Sequence, residues 1–345
     1  MHTWLTRWAC LLAVWSGGVM AGSALRVDRV TATGFHVSVT GVWPDACTPR
    51  LLSWAPWAQG FDVLIGSPQA ECAAGAHAFR LELSLDDAFS PALPGEAVRP
   101  LRIFAARGNE TPRLVGFRLL GGSGSMAPET GFWWPLDGTA SGNAISLERQ
   151  GDHLGIALLS HDARGEPEWF FGTTTLEGRL AHAELSRLTG SSLFAGGSAS
   201  TQAQPALRVE LAFASSTRLR MWLSRQADSR GELDLVASDL ERRSFSPLPA
   251  QQAWLGEWLL AGGAGLPSQL RWVGSRYDRR GGLSYHSAEG GYTLECRSTA
   301  SDGAVEQCRL RDAQGIIRAR FDQVGLDRLD GEDEQGRPVV MLRPR

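Results

Sequence analysis

Histidine, cysteine, arginine and tryptophan are the residues through which this chain could do chemistry, and their spacing sorts them. Beyond the first 21 residues the histidines are His36, His77, His153, His161, His182 and His286, and none stand as H-E-x-x-H or at i, i+2 or i, i+4. Those are the spacings that bring two imidazoles to one metal ion. His153 and His161 share a strand face by parity, but the strand between them spans roughly 26 Å, too far for a common ligand. Asp327, Asp330, Glu332, Asp333 and Glu334 surround Gly331, without the alternating oxygen ligands of a calcium loop. They read as a solvated hairpin tip balanced by Arg328 and Arg337. No G-x-S-x-G elbow occurs, and the 34 basic residues are all arginine. Schiff-base, lysine-base and P-loop chemistry are thereby removed. No catalytic residue, metal ligand or cofactor is assigned and an enzyme is not expected; a hydrolase with a triad assembled from distant residues ranks third, behind two binding readings.

What remains is binding chemistry. Arg218, Arg220 and Trp222 alternate with Leu219, Met221 and Leu223. If that face lined a barrel, it would grip an anionic small molecule through bidentate hydrogen bonds. On the outside of a sheet it would pair with carboxylates such as Glu210. Arg309 with Arg311, and Arg318 with Arg320, repeat the same parity. Trp54 and Trp57 fall in an apparent loop. Trp133 and Trp134 are adjacent, so on a strand they point to opposite faces. Phe132 shares parity with Trp134, which assigns Phe132 and Trp134 to the core, with Trp169 as their contact, and leaves Trp133 outside. Exposed aromatic rings on a β scaffold suit sugar faces or a protein partner. The candidate ligand-binding residues are therefore Trp133, Trp169, Arg218, Arg220, Trp222, Trp54 and Trp57.

These residues sit in a chain of 345 residues with 43% hydrophobic residues, 21% charged residues and a net charge of −3. Such a balance is globular and gives no basic footprint for nucleic acid. Residues 1–21 read as a secretory signal: Arg7 is the lone charge, an apolar run follows, and Val19-Met20-Ala21 offers a cleavage site. No later stretch is long and apolar enough for a transmembrane segment. Cys47, Cys72, Cys296 and Cys308 then remain. An even number in an exported chain argues for disulfides, with three connectivities open. The separation of the two halves favours local bridges, Cys47 to Cys72 and Cys296 to Cys308.

The elements follow from period-two alternation. Phe35, Val37 and Val39, then Phe79, Leu81, Leu83 and Leu85, mark half-buried strands. About six or seven strands over residues 22–120 predict an Ig-like sandwich. Gly121-Gly122-Ser123-Gly124-Ser125 opens a flexible linker over 121–130. Strand runs near 131–135, 143–150, 153–161, 167–175, 179–187, 206–214, 217–224 and 232–238 predict an antiparallel β-meander or small barrel over 131–243. A joint at 244–253 leads to a smaller C-terminal β unit of five or six strands over 254–345. In its Cys296–Cys308 segment, a three-residue Ser301-Asp302-Gly303 loop would face Ala300 to Ala304, Thr299 to Val305 and Cys296 to Cys308.

One stretch is familiar. Glu129-Thr130-Gly131-Phe132-Trp133-Trp134, then Ser141-Gly142, Gln150-Gly151-Asp152-His153-Leu154 and Asp162-Ala163-Arg164-Gly165-Glu166-Pro167-Glu168-Trp169, resemble a Trp-rich β repeat of exported Gram-negative bacterial proteins. Its form is G-x-W-W, S-G, Q-G-x-x-L, Y-D-x-x-G-x-P-x-W. Here Ala140 and His161 replace its usual Glu and Tyr. The disulfide-bearing segment around Val42-Trp43-Pro44-Asp45 is similar to domains that can precede such repeats. The resemblance implies export and a β fold, and carries no mechanism. The whole chain reads as an exported all-β protein, periplasmic or secreted, that binds an envelope protein, a glycan or a small ligand.

Overall fold

The computed structural model describes residues 25–33, 36–57, 60–67, 72–85, 97–136, 143–190, 202–227, 231–245, 252, 254–277, 282–298 and 305–344. The expected secretory signal at residues 1–21 and the expected turn at Ser301-Asp302-Gly303 lie outside them. The protein is all-β, in three successive units.

The first unit has two sheets around one core. β1 (Arg26–Thr33), β2 (His36–Asp45) and β5 (Ala74–Ser84) form one, in order β1-β2-β5. β3 (Arg50–Trp57), β4 (Gly60–Ser67), β6 (Arg99–Arg107) and β7 (Arg113–Leu120) form the other, in order β3-β4-β6-β7, with β4 and β6 parallel. The alternation read from sequence sends Val37, Val39, Val63, Ile65, Leu101 and Ile103 into that core together with Trp43. Trp43 donates its indole N–H to the buried Asp45 carboxylate at 3.1 Å, which also accepts from Cys47 N–H and Arg107 Nε at 2.9 Å each. The Cys47–Cys72 disulfide closes this end of the β2–β5 pair.

The second unit is a closed eight-stranded antiparallel barrel. Its strands are β8 (Gly131–Pro135), β9 (Ala144–Gln150), β10 (His153–His161), β11 (Pro167–Glu177), β12 (Leu180–Thr189), β13 (Gln202–Ser215), β14 (Arg218–Gln226) and β15 (Leu233–Arg242). β15 returns to β8, with Leu240 facing Pro135 and Arg242 facing Trp133. The third unit is larger than five or six strands: it is a second closed eight-stranded barrel. It runs through β16 (Gly256–Gly262), β17 (Gln269–Tyr277), β18 (Leu283–Ser287), β19 (Tyr292–Ser298), β20 (Val305–Asp312), β21 (Ile317–Val324), β22 (Arg328–Asp333) and β23 (Pro338–Leu342). Cys296 faces Cys308 across β19 and β20, and the two are bridged. The register slips one residue beyond them, so Val305 faces Ser298 rather than Thr299. A one-residue bulge therefore replaces the uninterrupted hairpin expected from the loop length.

The two barrels start in the same way. Gly131 and Gly256 hold φ of 124° and 113°, a conformation that an L side chain rarely adopts. Two residues on, Trp133 and Trp258 are fully buried, and each donates its indole N–H to the carbonyl four residues back, Glu129 and Trp254. A second device repeats three times, at Asp162-x-x-Gly165, Asp312-x-x-Gly315 and Asp333-x-x-Gly336. In each the aspartate carboxylate accepts the N–H groups two and four residues on, all at 2.8–3.0 Å. Each glycine N–H also returns to the aspartate carbonyl. The aspartate thus takes up three backbone N–H groups as the chain reverses.

Both barrel interiors are packed with apolar side chains. Trp133, Leu158, Phe213, Leu219 and Met221 fill the first, and Trp258, Trp272, Tyr285 and Phe321 the second. Arginines and acids take the outside, the reverse of a lipid-embedded barrel. No helix among the described residues is long and apolar enough to cross a membrane.

The units are joined by specific contacts. Phe117 and Leu119 of β7 pack on Leu180, Ala212 and Trp222 of the first barrel. The buried Glu210 carboxylate there accepts Leu119 N–H at 2.7 Å and lies 3.1 Å from His182 Nδ1. The glycine-rich stretch expected to be a flexible tether is held in this joint: Arg179 N–H donates to Gly122 O at 2.9 Å, and Gly122 lies against Leu180. Its glycines supply φ of 73° to 104° at Gly121, Gly122 and Gly124. Between the barrels, Ser216 Oγ donates to Val324 O, and Glu129 reaches the β21–β22 turn.

Candidate functional site

The face assignment of the paired tryptophans is reversed in the structure. Trp133 is 0% exposed and meets Phe213 edge-on at 6.1 Å, whereas Trp134 is 38% exposed. The neighbours decide it. Trp133 faces Ile145 and shares the interior with Leu147 and Leu158, while Phe132 faces Ser146, which is too small to build a core. Trp169, expected beside Trp134 in the core, is 59% exposed.

Register then assembles a surface from four strands. On the outside of the first barrel, Phe171 of β11 faces Ala157 of β10, Ala157 faces Ser146 of β9, and Ser146 faces Phe132 of β8. In the next row Trp169 faces Leu159, Leu159 faces Ala144, and the same register brings Trp134 level with Ala144. Each row has an aromatic ring at both ends and smaller side chains between. The outer strands are three inter-strand spacings apart, about 14 Å. Phe132 and Trp134 contact each other at 5.9 Å, and Phe245, 78% exposed, lies 6.3 Å from Phe132. The result is an outward face on which half-buried Ser146, Ala157 and Leu159, with Ala144 buried beside them, separate two aromatic edges, a shelf of exposed rings.

Along the strands this shelf runs into a cleft between the barrels. Phe245, Glu148, Arg242, Arg243, Asp327 and Arg343 line a cavity of about 430 Å³. A neighbouring one of about 420 Å³ is lined by Glu129, Arg149, Ser216, Arg328 and Asp330. Burial raises the pKa of Glu129 above the ordinary glutamate value, although Asp327 and Arg328 N–H groups donate to its Oε1 at 2.8 and 3.2 Å. Gly325 makes the approach possible, because a Cβ there would lie 2.0 Å from that oxygen. Arg242 donates to Thr130 O at 2.6 Å and lies against Gly131.

The remaining candidates are dispersed. Arg218, Arg220 and Trp222 lie on the outside of β14, because Leu219 and Met221 occupy the interior. Trp222 is buried against Phe117 at 6.0 Å in the joint with the first unit, and Arg220 pairs with Asp239 at 3.8 Å. An arginine-lined interior is therefore overturned by the apolar filling of the barrel. Arg311 pairs with Glu295 at 2.7 Å, and Arg318 with Asp312 at 2.8 Å and Glu334 at 3.0 Å. Trp54 and Trp57 lie in strand β3 rather than a loop. Trp54 is exposed, while Trp57 is half-buried beneath the Arg102 guanidinium at 4.6 Å, which is itself held by Asp62. The one metal-like group among the described residues, Asp45 with Cys47 and Cys72, has its sulfurs in a disulfide, so no thiolate is offered.

Sequence reasoning missed Phe132, Trp134, Phe171 and Phe245. The parity of Trp169 and Phe171 around the buried Phe170 was readable; their alignment with β8 needed the barrel register. No protein-family model matches this chain, and no curated protein matches it.

Proposed function

We propose that this protein is an exported, non-catalytic binding protein of the cell envelope or extracellular space. The solvent-facing aromatic shelf of the first barrel carries that reading. A globular surface scatters single apolar residues, but a contiguous aromatic cluster marks a recognition surface. Trp134 and Phe245, both packed on Phe132, and the exposed Trp169 and Phe171 across the intervening strands put four exposed aromatic rings on one face while both barrel interiors are already filled. Two disulfides support an oxidising compartment, as does the secretory reading of residues 1–21. The resemblance of the 129–169 stretch to a repeat of exported Gram-negative proteins points the same way. The histidine–carboxylate pair His182–Glu210 favours no catalysis, since Glu210 is committed to the joint between units.

The test is expression in a Gram-negative host, followed by retention of the purified protein on that host's isolated envelope fraction. Recovery from the periplasm or medium with an N-terminus at residue 22, and retention lost on combining Trp134→Ala with Trp169→Ala, are expected. Retention on no envelope material, or retention unchanged in the double variant, contradicts a binding role for this surface.

A further inference from the structure

We infer that the first unit takes an extended polypeptide segment of another protein, added as a strand along β5 and packed on Trp54; this surface is separate from the barrel shelf and goes beyond the reading drawn from it. Register locates the place. Leu51, Trp54 and Pro56 of β3 face Ile65, Val63 and Phe61 of β4, and directly opposed residues project from the same face of a sheet. Ile65, Val63 and Phe61 are core residues, so Leu51, Trp54 and Pro56 point to the core side as well. Yet Val63 is 0% exposed and Trp54 is 41% exposed. The covering sheet ends between them.

Strand number explains why. β1 packs against β7, where Val30 lies on Gly116, and Arg107 at the end of β6 reaches Asp45 at the end of β2. β1, β2 and β5 therefore lie over β7, β6 and β4, and β3 has no counterpart. The vacant lane has Leu51 and Trp54 as its floor and β5 as its wall. Among the described residues no strand lies on that side of β5, so alternate N–H and C=O groups of residues 76–83 point into the lane.

That combination selects the occupant. An apolar floor alone would suit many ligands, but a row of main-chain donors and acceptors beside it is matched by another main chain. The edge of β3 itself is blunted by Pro56 and by the bulge between Leu51 and Ser53, whereas β5 contains no proline. The charges of β5, Arg80 and Glu82, pair with each other at 2.5 Å on its exposed face. They set the pattern of an antiparallel partner: apolar residues against Phe79, Leu81 and Leu83, a base against Glu82 and an acid against Arg80.

Geometry excludes two other occupants. β3 projects one strand beyond β5, so two copies joined edge to edge through β5 would overlap at β3. The chain between β5 and β6 leaves and returns at the end of the lane away from the Cys47–Cys72 disulfide. Its stretch 86–96 is too short for a passage both ways, roughly 26 Å each at about 3.3 Å per residue.

The probe is a synthetic peptide, Thr-Val-Lys-Val-Glu-Val-Thr, labelled and titrated with the mature, disulfide-intact protein by fluorescence anisotropy. Saturable binding is expected, weakened about tenfold by Trp54→Ala and unaffected by Trp134→Ala on the barrel shelf. N-methylation of one alternate set of peptide amides should abolish binding, and methylation of the other set should spare it. Exchanging the charges of the protein, Arg80→Glu with Glu82→Arg, should transfer its preference to Thr-Val-Glu-Val-Lys-Val-Thr. All variants should keep the melting temperature of the parent. Alternate amides of residues 76–83 should exchange hydrogen freely without peptide and slowly with it.

No saturable binding, or equal loss from both methylated peptides, overturns the added strand. Slow exchange at all of those amides in the peptide-free monomer would show the protein's own chain in the lane. A dimer that the peptide disrupts would show a second copy there, and either result rejects the inference. None of these outcomes bears on the barrel shelf, whose residues take no part.

Discussion

Trp133 and Trp134 are neighbours in sequence with opposite physical duties, and that contrast is measurable. Trp133 is sealed against Phe213 inside the barrel, so Trp133→Ala removes a large core ring and should cost about 3–5 kcal/mol in urea unfolding. Trp134→Ala should cost under about 1 kcal/mol, since part of the ring faces solvent. Equal losses would contradict the face assignment. The parity error made from sequence came from weighing Phe132 alone. The parallel Gly256-Glu257-Trp258 was the better guide: Glu257 must stay outside, which sends the tryptophan after a Gly-x pair inward. Glu129 gives a second residue-scale expectation. Burial raises its pKa above 4.5 in the folded protein, in a setting that includes Arg242, Asp327 and Arg328. The folded state therefore binds the proton more tightly than the unfolded chain, and this group's contribution is greatest below that value and is lost as pH rises through the raised one. Glu129→Gln keeps the Oε1 acceptor and stays neutral. Its melting temperature relative to the parent should climb between pH 4.5 and 7; a gap independent of pH would mean the carboxylate is not strained by burial.

At the scale of elements, the Asp-x-x-Gly turns show how polar residues set chain reversal. Burial alone would raise the Asp333 carboxyl, but Arg337 and the N–H groups of Arg337, Gln335 and Ala264 hold its pKa down to about 2. A lowered folded value stabilises the protein above the unfolded value of 3.8, and that support fades as the pH falls toward about 2. Asp333→Asn should therefore lower the melting temperature at pH 6 and converge with the parent near pH 2; a difference that persists at pH 2 would show steric damage instead. Hairpin β19–β20 is held differently, by a cross-strand disulfide whose cysteines stand 12 residues apart. In the chain-entropy view this loop is worth about 3 kcal/mol, and replacing both Cys296 and Cys308 by Ala should show that loss in urea unfolding. The strands of the first barrel were legible because alternation and turn residues recur at short intervals: Leu154, Ile156 and Leu158 read inward, and Asp162-x-x-Gly165 reads as a turn. The facing of Cys296 and Cys308 was legible for the same reason. What alternation leaves open is anything set by a bulge, such as the slip that pairs Val305 with Ser298, and any strand such as β3 whose Pro56 and exposed rings resemble a loop.

For the whole molecule, the chain is a two-sheet unit followed by two barrels that begin on the same Gly-x-Trp device. The second barrel was underestimated because its strands are short and its repeat similarity to the first rests on geometry at Trp133 and Trp258, not on extended sequence identity. The shelf was not legible: Trp169 was assigned to the core beside Trp134, and the two are brought to one outer face only by the combined registers of β8, β9, β10 and β11. Both barrel cores are filled by apolar side chains, and EDTA is expected to leave the melting temperature unchanged; a drop of several degrees would point to a cation at the Asp327–Glu334 segment. Hydroxyl-radical footprinting of the intact protein, with and without envelope material, tests the binding surface most directly. Protection should fall on Phe132, Trp134, Trp169 and Phe171. Protection confined to Trp54 and its neighbours on β3, or none at the four shelf residues, would contradict it.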